Sequence, residues 1–114
     1  MEDNTLRRSM LFDFYGDLLT DKQREYYDLH YNEDLSLGEI AEQSGISRQG
    51  VWDIIRRADR ILTDTEEKTG LVERFQRLRV QVDEIENLIR RVQNGGNAEL
   101  LSEALAKLEA LRQE

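Results

Sequence analysis

Leu6, Met10, Leu11, Phe14 and Leu18 recur at the 3.6-residue period, which predicts an amphipathic helix over about 5–18. Thr20 can cap a second helix with Asp21 in its first turn, running to about Tyr31 and carrying Tyr26, Tyr27, Leu29 and Tyr31 as its large side chains. Asn32-Glu33-Asp34 is a polar break. Ser36 then offers an N-cap with Glu39 three residues on, the capping-box spacing, for a short helix with Leu37, Ile40 and Ala41 on its apolar face. Gly45 suits a left-handed position just past that helix, and Ser47 caps the next one. Val51, Ile54, Ile55, Ala58, Ile61 and Leu62 form its buried stripe.

The stretch 63–70 is polar and reads either as a junction or as a continuous exposed helix. Beyond it Leu71, Phe75, Leu78, Val82, Ile85, Ile89 and Val92 are spaced 4, 3, 4, 3, 4, 3, a heptad seam of the kind that packs one helix along another. Asn94-Gly95-Gly96-Asn97 breaks the seam, and a last helix over 98–112 shows Leu101, Ala104, Leu105, Leu108 and Leu111 on one side. The turn is short enough for that helix to fold back antiparallel. The expected fold is all-α: a helix-turn-helix domain over 1–69 and a C-terminal helical hairpin over 70–114. The seam at 71–92 is satisfied either by the last helix or by a second copy, and a homodimer through it is the expectation.

Composition narrows the chemistry. The chain has 114 residues, no Cys, no Pro and one His, so disulfides, thiol catalysis, Cys-ligated zinc and a multi-His metal site within one chain are excluded. No cofactor is implied. Carboxylates are the only catalytic groups left, none is placed in an evident pocket, and a non-enzymatic protein is expected. The N-terminus lacks a basic region followed by a clean apolar run, and no segment approaches 18 apolar residues, so neither a secretory signal nor membrane insertion is expected and the assigned compartment is the cytoplasm.

The net charge of -8 is uneven. Residues 1–36 carry -5, whereas 37–62 are neutral and hold a basic cluster of Arg48, Arg56, Arg57 and Arg60 interrupted by Asp53 and Asp59. A globally acidic chain is repelled by polyphosphate at long range, so any nucleic-acid contact must use this local basic face.

Residues 36–57, SLGEIAEQSGISRQGVWDIIRR, place Ala41 four residues before Gly45, then Ile46, with Val51 and Ile54 following. This is a helix-turn-helix spacing: a small residue where helices cross, a tight turn, and an apolar wedge of Ile40, Ile46, Val51 and Ile54. Together with Leu19-Thr20-Asp21-Lys22-Gln23-Arg24 and Asp28-Leu29-His30-Tyr31, the stretch resembles region 4 of bacterial sigma factors. The chain from about Leu6 to Val92, with FYGDLLT and KQREYYDLHYNEDLSLGEIAEQSGISRQGVWDIIRRA, resembles the YlxM-like family of bacterial helix-turn-helix proteins. That resemblance implies a role in the signal recognition particle pathway, with the particle's GTPase or RNA as partner.

If the fourth helix enters a groove, the candidate contact residues are Ser47, Arg48, Gln49, Trp52, Arg56 and Arg57, all off the apolar stripe. Arg48 and Gln49 suit base edges, Ser47 and the helix N-terminus suit a phosphate, Arg56 and Arg57 suit backbone phosphates, and Trp52 suits stacking on an unpaired base of RNA. Each has a plainer reading. Arg48 pairs with Glu39 or Glu42, Trp52 joins the core or an interface, and Arg56 and Arg57 are the wet side of a helix. Asp53 opposes phosphate on the same face, and Gly50 permits close approach of a ligand or a neighbouring helix. His30 reads as a packed or solvated histidine, and Asp64, Glu66 and Glu67 as a solvated acidic run.

Overall fold

The computed structural model describes residues 2–113. They form six α-helices and one 3₁₀ turn, with no strand among the described residues: α1 Glu2–Tyr15, the 3₁₀ turn Gly16–Leu18, α2 Asp21–Tyr31, α3 Leu37–Ser44, α4 Arg48–Thr69, α5 Leu71–Gln93 and α6 Glu99–Arg112. The chain is all-α, as its periodicities predict. It divides into two units, 1–72 and 73–114.

Local chemistry sets the helix ends in the first unit. Thr20 Oγ1 accepts from Gln23 N–H at 3.2 Å while Gln23 Oε1 accepts from Thr20 N–H at 2.9 Å, closing a capping box on α2. Ser36 and Glu39 do the same for α3, each bond 3.1 Å long. The backbone N–H of Ser36 is the main cause holding the Glu39 carboxyl below its ordinary value. Gly45 ends α3 at φ 71°, a conformation that costs a residue with a Cβ and leaves glycine untouched.

α4 is the axis of this unit, with α1, α2 and α3 packed against it. Val51, Ile55, Ala58 and Leu62 line its buried face and meet Ile40 and Ala41 from α3, Tyr26 and Tyr27 from α2, and Met10, Leu11 and Tyr15 from α1. Phe12 stacks on Tyr27 with ring centroids 5.4 Å apart, and Tyr27 meets Tyr31 at 4.7 Å.

Three sequence expectations need correction. The helix drawn over 5–18 is α-helix only to Tyr15: within it Tyr15, four residues after Leu11, enters the core while Leu6 and Phe14 stay exposed, and past the tighter 3₁₀ turn Leu19 is buried in place of Leu18. In the wedge, Ile40 and Val51 are fully buried, but Ile46 is exposed. The stretch 63–69 is neither a junction nor wholly exposed, because α4 continues through it and turns Glu66 inward, 4 % exposed.

In the second unit α5 and α6 form the expected antiparallel hairpin, bridged by Lys107 Nζ and Glu84 at 3.2 Å. Gly96 N–H donates to Arg91 O and Gly95 N–H to Val92 O, closing α5; a Cβ on Gly96 would lie 2.6 Å from Arg91 O, so only glycine fits. The buried centre is small: Ile85, Leu88 and Ala104, flanked by Leu100 and Leu111. The heptad seam is therefore only partly covered within the chain. Ile85 is buried, but Leu78, Val82 and Ile89 are exposed, and Leu88, off the seam, takes the contact with α6.

Candidate nucleic-acid interface

The turn Gly45-Ile46-Ser47 delivers the start of α4 to the surface. Ser47 Oγ accepts from Gly50 N–H at 3.0 Å and so caps α4, while its own O–H remains able to donate. The first-turn amides of a helix have no intrahelical acceptor, and they give this end partial positive charge suited to a phosphate.

Arg48 lies across α3. A Cβ on Gly38 would stand 3.1 Å from Arg48 Nε and 3.2 Å from Nη2, so the bare glycine lets the guanidinium rest on the α3 backbone. It forms no ion pair with Glu39 or Glu42. Gln49 Nε2 donates to Asp53 Oδ1 at 3.0 Å, one helical turn on. That bond occupies one lone pair of the carboxylate that opposes phosphate on this face. Gly50 adjoins no neighbouring helix: a Cβ there would meet Ser47 Oγ at 3.2 Å and Ile46 Cδ1 at 3.6 Å.

Two turns further along, Arg56 and Arg57 are exposed and line a polar recess of about 370 Å³ with Asp53 and Arg60. Arg60 was absent from the sequence-derived contact set. Its spacing of three and four residues from Arg57 and Arg56 puts it on their side of the helix, which the helical period alone could have signalled. Arg48 and Arg56 are eight residues apart, about 12 Å along the axis. Ser47, Arg48 and Gln49 thus form one exposed group, and Arg56, Arg57 and Arg60 a second. Trp52 differs from both. It is half-buried and packs against the hydrophobic core of the first unit.

The histidine of α2 is held within the fold. His30 Nδ1 lies 2.8 Å from Leu35 O.

Sequence reasoning missed Glu66. Its Oε1 accepts the Tyr15 hydroxyl at 2.6 Å and the Val72 N–H at 2.9 Å. Val72 is in the first turn of α5, so the carboxylate caps that helix start together with Thr69, whose Oγ1 accepts from Leu71 N–H at 3.4 Å. Nothing in the acidic run 64–67 distinguishes Glu66 except its four-residue spacing from Leu62, which extends the buried stripe of α4 by one turn.

Comparison with known proteins agrees with this geometry. A family model described as "Putative helix-turn-helix protein, YlxM / p13 like" matches residues 2–100. The chain belongs to the YlxM/p13-like helix-turn-helix family. A family relative from Geobacillus kaustophilus is 47 % identical over 100 residues, covering 88 % of this chain and 90 % of the relative. One from Halalkalibacterium halodurans is 41 % identical over 109 residues, covering 96 % of this chain and all of the relative. One from Thermoanaerobacter sp. strain X514 is 52 % identical over 85 residues, covering 75 % and 73 %. Membership in the YlxM/p13-like family fits a nucleic-acid-binding role for the α3–α4 motif. Among the described residues, no helix is long and apolar enough to cross a membrane.

Proposed function

We propose that the chain is a non-enzymatic, cytoplasmic accessory protein of the bacterial signal recognition particle pathway that binds nucleic acid through the exposed side of α4. The observation that carries the nucleic-acid part is the pairing of a capped helix start with arginines one, nine and ten residues beyond the cap, exposed around Ser47, Arg48, Gln49, Arg56 and Arg57. Such a strip can hold two phosphates while Arg48 and Gln49 read a groove edge. The pathway assignment rests on family resemblance, with the particle's RNA or GTPase as partner. A homodimer through residues 71–92 would present two such strips on one target.

A second reading is a sequence-specific regulator of duplex DNA with a motif like that of sigma region 4. The placement of Trp52 favours it, because a tryptophan packed on the core is poorly available for stacking on an unpaired base.

Purified chain titrated with the particle's RNA, with its GTPase and with a pool of random duplex DNA separates these readings. Tight RNA or GTPase binding that is lost in R48E/R56E/R57E supports the first, and a duplex motif enriched by selection supports the second. Absence of binding to all three overturns both.

A further inference from the structure

The hairpin of the second unit leaves one broad apolar face uncovered. On α5, Leu78, Val82 and Ile89 are 41 %, 47 % and 43 % exposed; on α6, Leu101, Leu105 and Leu108 are 43 %, 64 % and 41 % exposed. At 100° per residue, the α5 group lies about a quarter turn from Ile85 and Leu88, the residues that meet α6. The α6 group lies about a quarter turn, in the same rotational sense, from Leu100, Ala104 and Leu111. The helices run antiparallel, so equal senses of rotation bring both groups to the same side of the hairpin.

We infer that this face is the contact of a second copy of the chain, two hairpins packing face to face into a four-helix bundle with their α5 helices antiparallel. The inference deepens the self-association stated above and is independent of what α4 binds. Two observations select a second copy. The first is the shortage of core: within one chain the hairpin buries only Ile85, Leu88 and Ala104, little for 42 residues, whereas the six leucine, valine and isoleucine side chains offer on the order of 500 Å² per copy towards the ~800 Å² that a stable pair removes from each partner. The second is charge. Arg79 and Glu86, seven residues apart, lie on one flank of the α5 face, the side away from α6. A two-fold axis near Val82, perpendicular to the helices, sets Arg79 of one copy opposite Glu86 of the other, twice over. A parallel pairing in register sets each charge on its like. Glu86 now pairs with Arg90 one turn away at 2.7 Å, an exposed bond that is weak and readily exchanged.

The test is sedimentation of the full chain, without nucleic acid, from 1 to 100 µM. The wild-type chain is expected as a dimer, and Val82→Glu and Leu105→Glu as monomers with unchanged helical circular dichroism, since both side chains are already in water in the single chain. R79E and E86R are each expected to weaken the dimer at least tenfold, and R79E/E86R to restore it. A wild-type monomer at 100 µM, or V82E and L105E variants that stay dimeric, overturns the inference. Failure of the double charge swap to restore the dimer overturns the antiparallel register. The R48E/R56E/R57E variant is expected to remain dimeric, so a failure of nucleic-acid binding and a failure of this inference are told apart.

Discussion

Tyr15 donates its hydroxyl to the buried Glu66 carboxylate at 2.6 Å, across 51 positions of sequence. The same oxygen takes the Val72 N–H, so one carboxylate joins α1, α4 and the first turn of α5. Removing it strands the buried Val72 N–H and leaves the Tyr15 hydroxyl with Thr69 Oγ1 alone. Glu66→Ala should lower the unfolding free energy by about 3 kcal/mol, and Glu66→Gln, which keeps a carbonyl acceptor, by about 1 kcal/mol. Urea titration followed by circular dichroism measures both. An E66A variant as stable as wild type would show that the bond carries no weight.

The tyrosines predict a dependence on alkaline pH. Burial pushes the hydroxyls of Tyr15 and Tyr27 above the ordinary value of 10.0. The folded chain therefore keeps protons that the unfolded chain releases near pH 10, so stability is level below that point and falls as pH rises above it towards the folded values. The Tyr27 hydroxyl is buried without a hydrogen-bond partner. Tyr27→Phe should be neutral or stabilising by up to about 1 kcal/mol at pH 7 and should flatten the alkaline decline. Urea midpoints at pH 7, 9 and 10.5 report both effects, and a loss of more than about 1 kcal/mol at pH 7 would contradict the prediction.

These two examples also mark where sequence reading reached and where it stopped. The Ser36–Glu39 box, the Gly45 turn and the Ser47 cap were legible because each is settled within four residues by backbone chemistry. The Glu66 cluster was not, because a lone acid in a polar run looks solvated until Tyr15 arrives from 51 positions away. Leu18 was placed in the core in place of Leu19 because the 3₁₀ turn at Gly16–Leu18 advances the chain by 120° per residue instead of 100°. The residues of the seam at 71–92 are apolar by spacing, yet spacing cannot say that α6 packs on Leu88 rather than Ile89. Within the candidate interface, the helical period put the arginines on one side, but it could not show Trp52 leaning on the core or Arg48 resting on Gly38.

Gly45 sits at φ 71° with open space around it. The cost of a side chain there is therefore conformational and free of steric clash with neighbours. Gly45→Ala should destabilise the first unit by about 1–2 kcal/mol, and Gly45→Asn by less, since asparagine tolerates the left-handed region. Thermal denaturation of the two variants gives the order; equal melting temperatures would refute it.

Gly38 offers a way to separate binding from folding. Alanine gains helix propensity at this position, but its methyl meets the Arg48 guanidinium at about 3.1 Å and must displace it. Gly38→Ala should leave stability unchanged or slightly raised while nucleic-acid affinity falls severalfold. Fluorescence anisotropy alongside urea titration checks both. Unchanged affinity would remove Arg48 from the contact set.

Arg56 and Arg57 are assigned to phosphate and Arg48 to a groove edge, and salt separates the two roles. Replacing Arg56 or Arg57 with Gln should weaken binding evenly across sequences and reduce the slope of log affinity against log salt by about 1 for each charge. Arg48→Gln should instead change which sequences are preferred. Salt slopes unaltered by R56Q and R57Q would reassign those arginines to bulk solvent.

The unbroken run of α4 from Ser47 to Gly70 spans about 33 Å. One helix therefore bears the exposed arginines towards its start and, in its last turns, the carboxylate that Tyr15 and Val72 share. A substitution that shortens α4 would remove both from a single element.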